Sequence, residues 1–511
     1  MIKKMRSERL ERFLTVFNNN SRPIFVVVLT GLILLRVIEV LFYNKIAGAD
    51  AVFISYAQNI LKGRLAIDTH GDFLNFDRYY FCYPFLHPGL MALAFKVFGI
   101  SYKAAKVVPV IFNSLCILTA YIFSKKYIGE LEAVLVSLLL AFDHLFFSYG
   151  NVARPEMVTL FFFTLAALAY FKADQGGSWG LLILSAVLSG LAFLASLNAL
   201  WLVIAFLLYQ VVCGKIIREG RRFLAYMTSF FIIISPYYLW IFLNAERRAI
   251  FLVQVFGANS SLGRGSSLPL VIRNLLNPLA DLYLMVSRFG SMYPLIFAIV
   301  IVYFVFNFRK YAYLLFVLLS PIFMLLINER AAHYLLITMP VCYISLGFVV
   351  KAFKKRSLGS LGFWLKRAVV SILVFFFLFN FCADLKFAFN KPSFLVDESY
   401  YRNALERYTE SDARIVADHS LLLSITEGRK IFSPALLVWD KWQSLYAYEE
   451  IVARINPDYI ILTAQMRDWI DPSNTQYRLF QELLKQNFVL KKKVSDPRYG
   501  ELWIYQRKFK V

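Results

Sequence analysis

The amino-acid sequence predicts a polytopic α-helical membrane protein with about 11 spans and two interfacial helices, followed by a small C-terminal α/β soluble domain. Three observations carry this expectation. First, 59% of the 511 residues are hydrophobic and only 17% are charged, where soluble domains have about 45–50% apolar and about 25% charged residues. Second, the apolar excess fills the first three quarters of the chain as runs of spanning length. Third, after about residue 390 charges return and the apolar runs shorten. The expected units are a basic leader over 1–22, a membrane domain over 23–390 with an outer loop at 44–104, and an α/β domain over 391–511. A formal net charge of +22 would suit a nucleic-acid partner. Its placement argues against one, because Lys and Arg gather in short loops between apolar runs, as on the inner face of membrane proteins. The partner implied is the lipid bilayer. Five scattered cysteines without a CxxC pair make no disulfide or metal framework, with a single Cys82–Cys382 bridge left open.

The elements follow in order. Lys3, Lys4, Arg6, Arg9, Arg12 and Arg22 make the leader basic. The run 24–43 is the first span; Arg36 and Glu39 lie one turn apart in it and are expected to pair toward the bundle interior, with a substrate contact as the alternative. From Asp50 to Lys62 the apolar Val52, Phe53, Tyr56, Ile60 and Leu61 recur at helical spacing in a segment too short and polar to span, so it lies along the interface. The apolar run 83–98 also falls short of the ~20 residues a span needs and makes a second interfacial helix. Spans then fall near 105–124, 131–149, 157–173, 180–196, 198–213, 223–243, 283–306, 311–327, 334–350 and 368–389. With 83–98 outside the count, the basic loops at Lys125-Lys126, 215–222, Arg309-Lys310 and 351–367 all face inside. The polar segments 151–156, 244–282 and 328–334 then face outside, with the loop that begins at Asp50. In the C-terminal part, 413–417, 458–462, 488–494 and 501–505 read as strands and 477–486 as a helix.

The residues fit for chemistry gather on the outer side. Asp50 and Glu156 are two separated carboxylates, suited to an acid/base task in which one deprotonates a hydroxyl and the other orients it or holds a cation. Asp50 also suits a helix N-cap, and Glu156 a first-turn acid behind Pro155. Arg154, Arg330 and His333 form a cationic set at the same face, able to bind a lipid phosphate or to pair internally with Glu156 and Glu329. His87 either donates to a phosphate, binds a metal or makes a structural hydrogen bond. His144, in the middle of the expected span 131–149, reads as a satisfied buried histidine, and His419 as a surface residue. The metal is unknown; a divalent cation, magnesium or manganese, is left open as a cofactor.

At these residues the chain resembles membrane glycosyltransferases of the GT-C type. The likeness is to bacterial proteins similar to the lipid A aminoarabinose transferases and to the protein O-mannosyltransferases (dolichyl-phosphate-mannose-protein-mannosyltransferase-like). Gly48-Ala49-Asp50 with Tyr56-Ala57 is similar to the first acidic motif, although Ala51 stands where a second acid is frequent. Tyr83-Pro84-Phe85-Leu86-His87-Pro88 resembles the proline-rich start of the second interfacial helix, without its frequent lysine. Ala153-Arg154-Pro155-Glu156 resembles the second acidic motif. Glu329-Arg330 through His333-Tyr334 to Pro340 resembles a late basic-aromatic motif. The resemblance implies a GT-C fold and transfer of a sugar from a polyprenyl-phosphate-linked donor to a glycan, lipid or protein acceptor outside, with inversion. Asp50 and Glu156 would then be catalytic, and Arg330, His333, His87, Arg154 and Tyr334 would hold the donor phosphate. The alternative is a transporter or flippase that moves a lipid-linked sugar without chemistry. Broken helices with midplane charges would mark that class, whereas these charges sit at the outer edge.

Overall fold

The computed structural model describes residues 21–42, 50–69, 75–258, 291, 293–327, 336–355, 378–380, 382, 398–417, 430–432, 437, 448–463, 475–496 and 500–508. Arg330, His333, Tyr334 and His419 lie outside the described residues, as does most of the expected last span.

Helix α1, Ser21–Phe42, matches the expected first span. Its Arg36 is buried, donates to the Phe147 carbonyl at 2.8 Å and lies over the Phe147 ring at 4.3 Å. The side chain of Glu39, its expected partner, lies outside the described residues. Gly150 permits this approach, since a Cβ there would stand 2.1 Å from Arg36 Nη1.

Helices α2, Asp50–Leu61, and α3, Leu86–Phe98, are 12 and 13 residues long, too short to span. They pack on each other through Ala51, Phe53, Ile54, Met91, Ala92 and Phe95. The longer α4, Tyr102–Tyr127, starts where the Ser101 hydroxyl accepts from Ala104 N–H and ends on Lys125 and Lys126, which suit a helix C-terminus.

The expected span 131–149 is not continuous. It breaks into α5, Glu130–Ala141, and α6, His144–Tyr149. The cause is Asp143, whose carboxylate caps the second piece by accepting from Leu145 N–H at 3.0 Å and Phe146 N–H at 3.3 Å. Ser291 Oγ and Tyr343 Oη also donate to it, at 2.8 and 2.6 Å. His144 therefore opens a helix rather than standing within one. Its N–H donates to Asn380 Oδ1, and its side chain is only half-buried.

Helices α7, Glu156–Gly176, and α8, Trp179–Ala195, reverse through Gly177 in the left-handed region at φ 69°. A 3₁₀ turn, Leu197–Ala199, leads into α9, Leu200–Val212. The short α10, Lys215–Arg218, precedes α11, Gly220–Phe242. The expected outer loop 244–282 starts as regular structure: α12, Ala245–Leu252, runs into a π-helical turn, Val253–Ala258. Helices α13, Tyr293–Phe306, α14, Phe308–Ile327, and α15, Met339–Lys355, complete the described membrane part. Among the described residues, Tyr102–Tyr127, Glu156–Gly176, Gly220–Phe242 and Leu336–Phe353 are long and apolar enough to cross a membrane. The chain is an integral membrane protein.

The C-terminal part forms a five-stranded sheet of order β2-β1-β3-β5-β4. Its strands are β1, Arg414–Ala417, β2, Lys430–Phe432, β3, Tyr459–Thr463, β4, Phe488–Asp496, and β5, Gly500–Arg507. β1 pairs in parallel with β2 and β3, while β3, β5 and β4 pair antiparallel. Strand β3 is buried on both faces. Tyr459 and Ile461 face α16, Glu398–Tyr408, through Tyr401 and Leu405. Ile460 and Leu462 face α17, Tyr448–Ile455, and α18, Thr475–Asn487, through Ile451, Phe480 and Leu484. The second apolar cluster also takes in Tyr56, Ile67, Phe76 and Tyr80. The α/β domain thus sits on the loop that follows Asp50, at the same end of the bundle as that residue.

Candidate active site

The site is built around one backbone residue. Ala153 lies in a tight turn between α6 and α7, where Arg154 N–H donates to the Val152 carbonyl at 2.7 Å. The Ala153 N–H donates to Asp50 Oδ1 at 3.0 Å. The Ala153 carbonyl lies 3.4 Å from His87 Nε2, so that nitrogen carries the proton and donates. Three segments far apart in sequence therefore meet at one peptide unit: the start of α2, the start of α3 and the turn before α7. Asp50 is 1% exposed. It sits in the first turn of α2, and its carboxylate reaches across to the second acidic segment, a use the N-cap expectation did not include.

Three residues on, Pro155 precedes Glu156 at the start of α7, a place favoured for an acid by the helix dipole. Glu156 Oε1 pairs with Arg154 Nη2 at 2.6 Å, the internal pairing open to it from sequence. The second oxygen, Oε2, is buried without a hydrogen-bond partner. Glu156 lines a small cleft with Thr159, Ser196, Asn198, Leu336 and Ile337. The last two follow directly on the segment that holds Arg330, His333 and Tyr334.

His87 is fully buried, and its ring meets Phe53 edge-on at 5.5 Å. Burial pushes its pKa down from the ordinary 6.5 to about 4, against the opposing pull of the Ala153 carbonyl and of Glu156. It is neutral at physiological pH and holds the turn, a geometry that fits the structural hydrogen bond rather than a phosphate contact.

The loops at this end of the bundle are clamped together. Gln254, buried in the π-helical turn, accepts from Phe81 N–H at 2.7 Å and donates to the Tyr79 carbonyl at 2.8 Å. Arg78 pairs with Glu246 at 3.0 Å, and Arg247 lies over the Trp240 ring at 4.1 Å. Ser196, Asn198 and Gln254 were not singled out from sequence, where each is one polar residue in an unremarked turn. Among the described residues no group of three or more His, Cys, Asp or Glu side chains is placed to hold a metal ion.

Comparison with known proteins agrees with this layout. Residues 83–240 match the family model described as dolichyl-phosphate-mannose-protein mannosyltransferase. The structure is similar to ArnT from Cupriavidus metallidurans bound to undecaprenyl phosphate, with a TM-score of 0.60 at 12% identity, covering 94% of this chain and 97% of that one. The same protein in the apo state gives a TM-score of 0.62 at 13% identity over the same shares. The archaeal oligosaccharyltransferase AglB from Archaeoglobus fulgidus, in complex with an inhibitory peptide and a dolichol-phosphate, gives 0.57 at 12% identity, covering 88% of this chain and 70% of that one. No curated protein matches the sequence. The chain has the GT-C fold of membrane glycosyltransferases, the type expected from its sequence motifs.

Proposed function

We propose that this protein transfers a sugar from a polyprenyl-phosphate-linked donor to an acceptor hydroxyl at the outer membrane face. The observation that carries the proposal is the convergence of Asp50 and Glu156 on the Ala153 turn, beside a cleft lined by Ser196, Asn198, Leu336 and Ile337. The two structural neighbours that hold a polyprenyl phosphate share the fold and support the donor class.

In this mechanism Asp50 takes the proton of the acceptor hydroxyl. The oxygen attacks the anomeric carbon, the carbon–oxygen bond to the phosphate breaks, and the lipid leaves as its phosphate. One displacement inverts the anomeric centre. The leaving phosphate needs cationic neutralisation more than protonation, which Arg330 and His333 supply with Tyr334 beside them. Arg154, already paired with Glu156, sets the orientation of that carboxylate, whose second oxygen is left to receive a sugar or acceptor hydroxyl. His87 acts on the Ala153 turn and touches neither substrate. The test is a purified protein in detergent given a radiolabelled polyprenyl-phosphate sugar. Release of polyprenyl phosphate in step with labelled glycoside supports transfer. Movement of the intact lipid-linked sugar across a reconstituted bilayer, with no release, would make the protein a flippase.

A further inference from the structure

The opposite end of the bundle carries a cationic cluster that the transfer reaction does not use. Lys172 lies 16 residues beyond Glu156 on α7, about 24 Å along the helix axis. Its ammonium sits over the Tyr127 ring at 3.9 Å, at the last residue of α4. Lys351, near the end of α15, donates to the Tyr127 carbonyl at 3.3 Å. Lys310, in the first turn of α14, lies over Tyr311 at 5.1 Å. The rings of Phe171, Tyr311 and Phe348 join the three helix ends, with centroids 5.5–6.2 Å apart. Lys310 and Lys351 both act electrostatically on Lys172.

The surroundings of these lysines are unbalanced. Beside them, Lys215 and Arg222 are matched by Asp174 and Glu219 in one network. Among the described residues Lys172, Lys310 and Lys351 have no such carboxylate; Lys172 donates only to the Gln175 amide, at 3.0 Å. The chain beyond adds cations at Lys354, Lys355, Arg356, Lys366 and Arg367, and no acid before Asp384. Three like charges, two of them over aromatic rings and one on the Tyr127 carbonyl, repel one another unless an anion joins them. Phe308 and Phe353, on the same helix ends, and Phe306, at the adjoining end of α13, are 37%, 39% and 84% exposed. Exposed apolar rings beside one exposed and two half-buried lysines fit a ligand with both a phosphate and acyl chains, not a soluble phosphate.

We propose that Lys172, Lys310 and Lys351 form a binding site for the phosphate of an anionic phospholipid headgroup at the membrane face opposite Asp50. The test is native mass spectrometry of the purified full chain with phosphatidylglycerol or phosphatidylcholine added. The wild type is expected to retain phosphatidylglycerol at least tenfold more than phosphatidylcholine, and the triple variant Lys172→Gln/Lys310→Gln/Lys351→Gln to lose that preference. The triple Lys→Arg variant should keep it, as should Lys103→Gln, an exposed lysine at the other end of α4. If the triple Gln variant does not fold, Lys310→Gln alone is read; this exposed side chain should still reduce retention severalfold. Equal retention by wild type and folded Gln variants would overturn the proposal. So would displacement of the lipid by millimolar inorganic phosphate, which would mark a soluble-anion site.

Discussion

Asp143 and Glu156 are both acids at helix starts in the membrane domain, yet their surroundings are opposite. Asp143 is fully buried and accepts from two backbone N–H groups, Ser291 and Tyr343. Tyr293, two residues after Ser291, is held within 2.8 Å of Thr338, so the hub ties α6, α13 and α15 together. Glu156 satisfies one oxygen with Arg154 and leaves the other buried without a partner at the wall of a cleft. On the proposed function, the contrast separates structural from chemical use of a carboxylate. An acid with its acceptor capacity filled from within holds helices; one with an oxygen left over, beside open space, is placed to receive a substrate.

The comparison breaks first, and with the largest effect, at Asp143. Asp143→Ala should strip the partners from Ser291, Tyr343 and two N–H groups, each orphaned donor costing about 1–3 kcal/mol. Thermal unfolding in detergent should fall steeply, while any folded fraction keeps donor binding. A variant with unchanged unfolding but no transfer would move Asp143 into the chemistry. Next in size, Glu156→Gln should leave unfolding nearly unchanged and lower transfer by about 10²-fold, the lower end for acid/base groups. A large stability loss with normal turnover per folded molecule would make the Arg154 pair merely structural.

The smallest effect, absent at neutral pH, belongs to His87. Its pKa is lowered in the folded protein to about 4 from an ordinary 6.5, so the unfolded chain binds the proton more tightly. Its contribution is complete above pH 6.5 and is lost as pH falls from 6.5 toward 4. Wild-type unfolding temperature should drop across that window, and His87→Gln should drop less. Parallel pH profiles would assign the titration to another group.

Much of this was legible in the sequence, for physical reasons that differ by region. The strands 413–417 and 458–462 and the helix 477–486 have counterparts in β1, β3 and α18, because short apolar runs between polar turns leave few alternatives. The short apolar run at 83–98 marked α3 as a non-spanning helix by length alone. The short β2 and the helices α16 and α17 carried too weak a pattern to be seen. The break at Asp143 was overlooked although an acid in an apolar run signals it; the apolar residues on both sides mask a cap when only hydropathy is read. In the site, the motifs around Asp50 and Glu156 could be found as residue types. Their meeting at Ala153 could not, because alanine contributes only backbone groups, which carry no mark in the sequence.

The central claim rests on Asp50, and Asp50→Asn tests it most directly. Asparagine is nearly isosteric and can still accept from the Ala153 N–H through its side-chain oxygen, so the contact that joins the two motifs should survive. It cannot take a proton from an attacking hydroxyl. The measurement is sugar transfer from a polyprenyl-phosphate donor, read beside binding of undecaprenyl phosphate to the same purified variant. The account predicts a folded protein with wild-type binding and transfer reduced by about 10²–10⁴-fold. Near-normal transfer by Asp50→Asn would contradict it and leave Asp50 as a tether for the Ala153 turn.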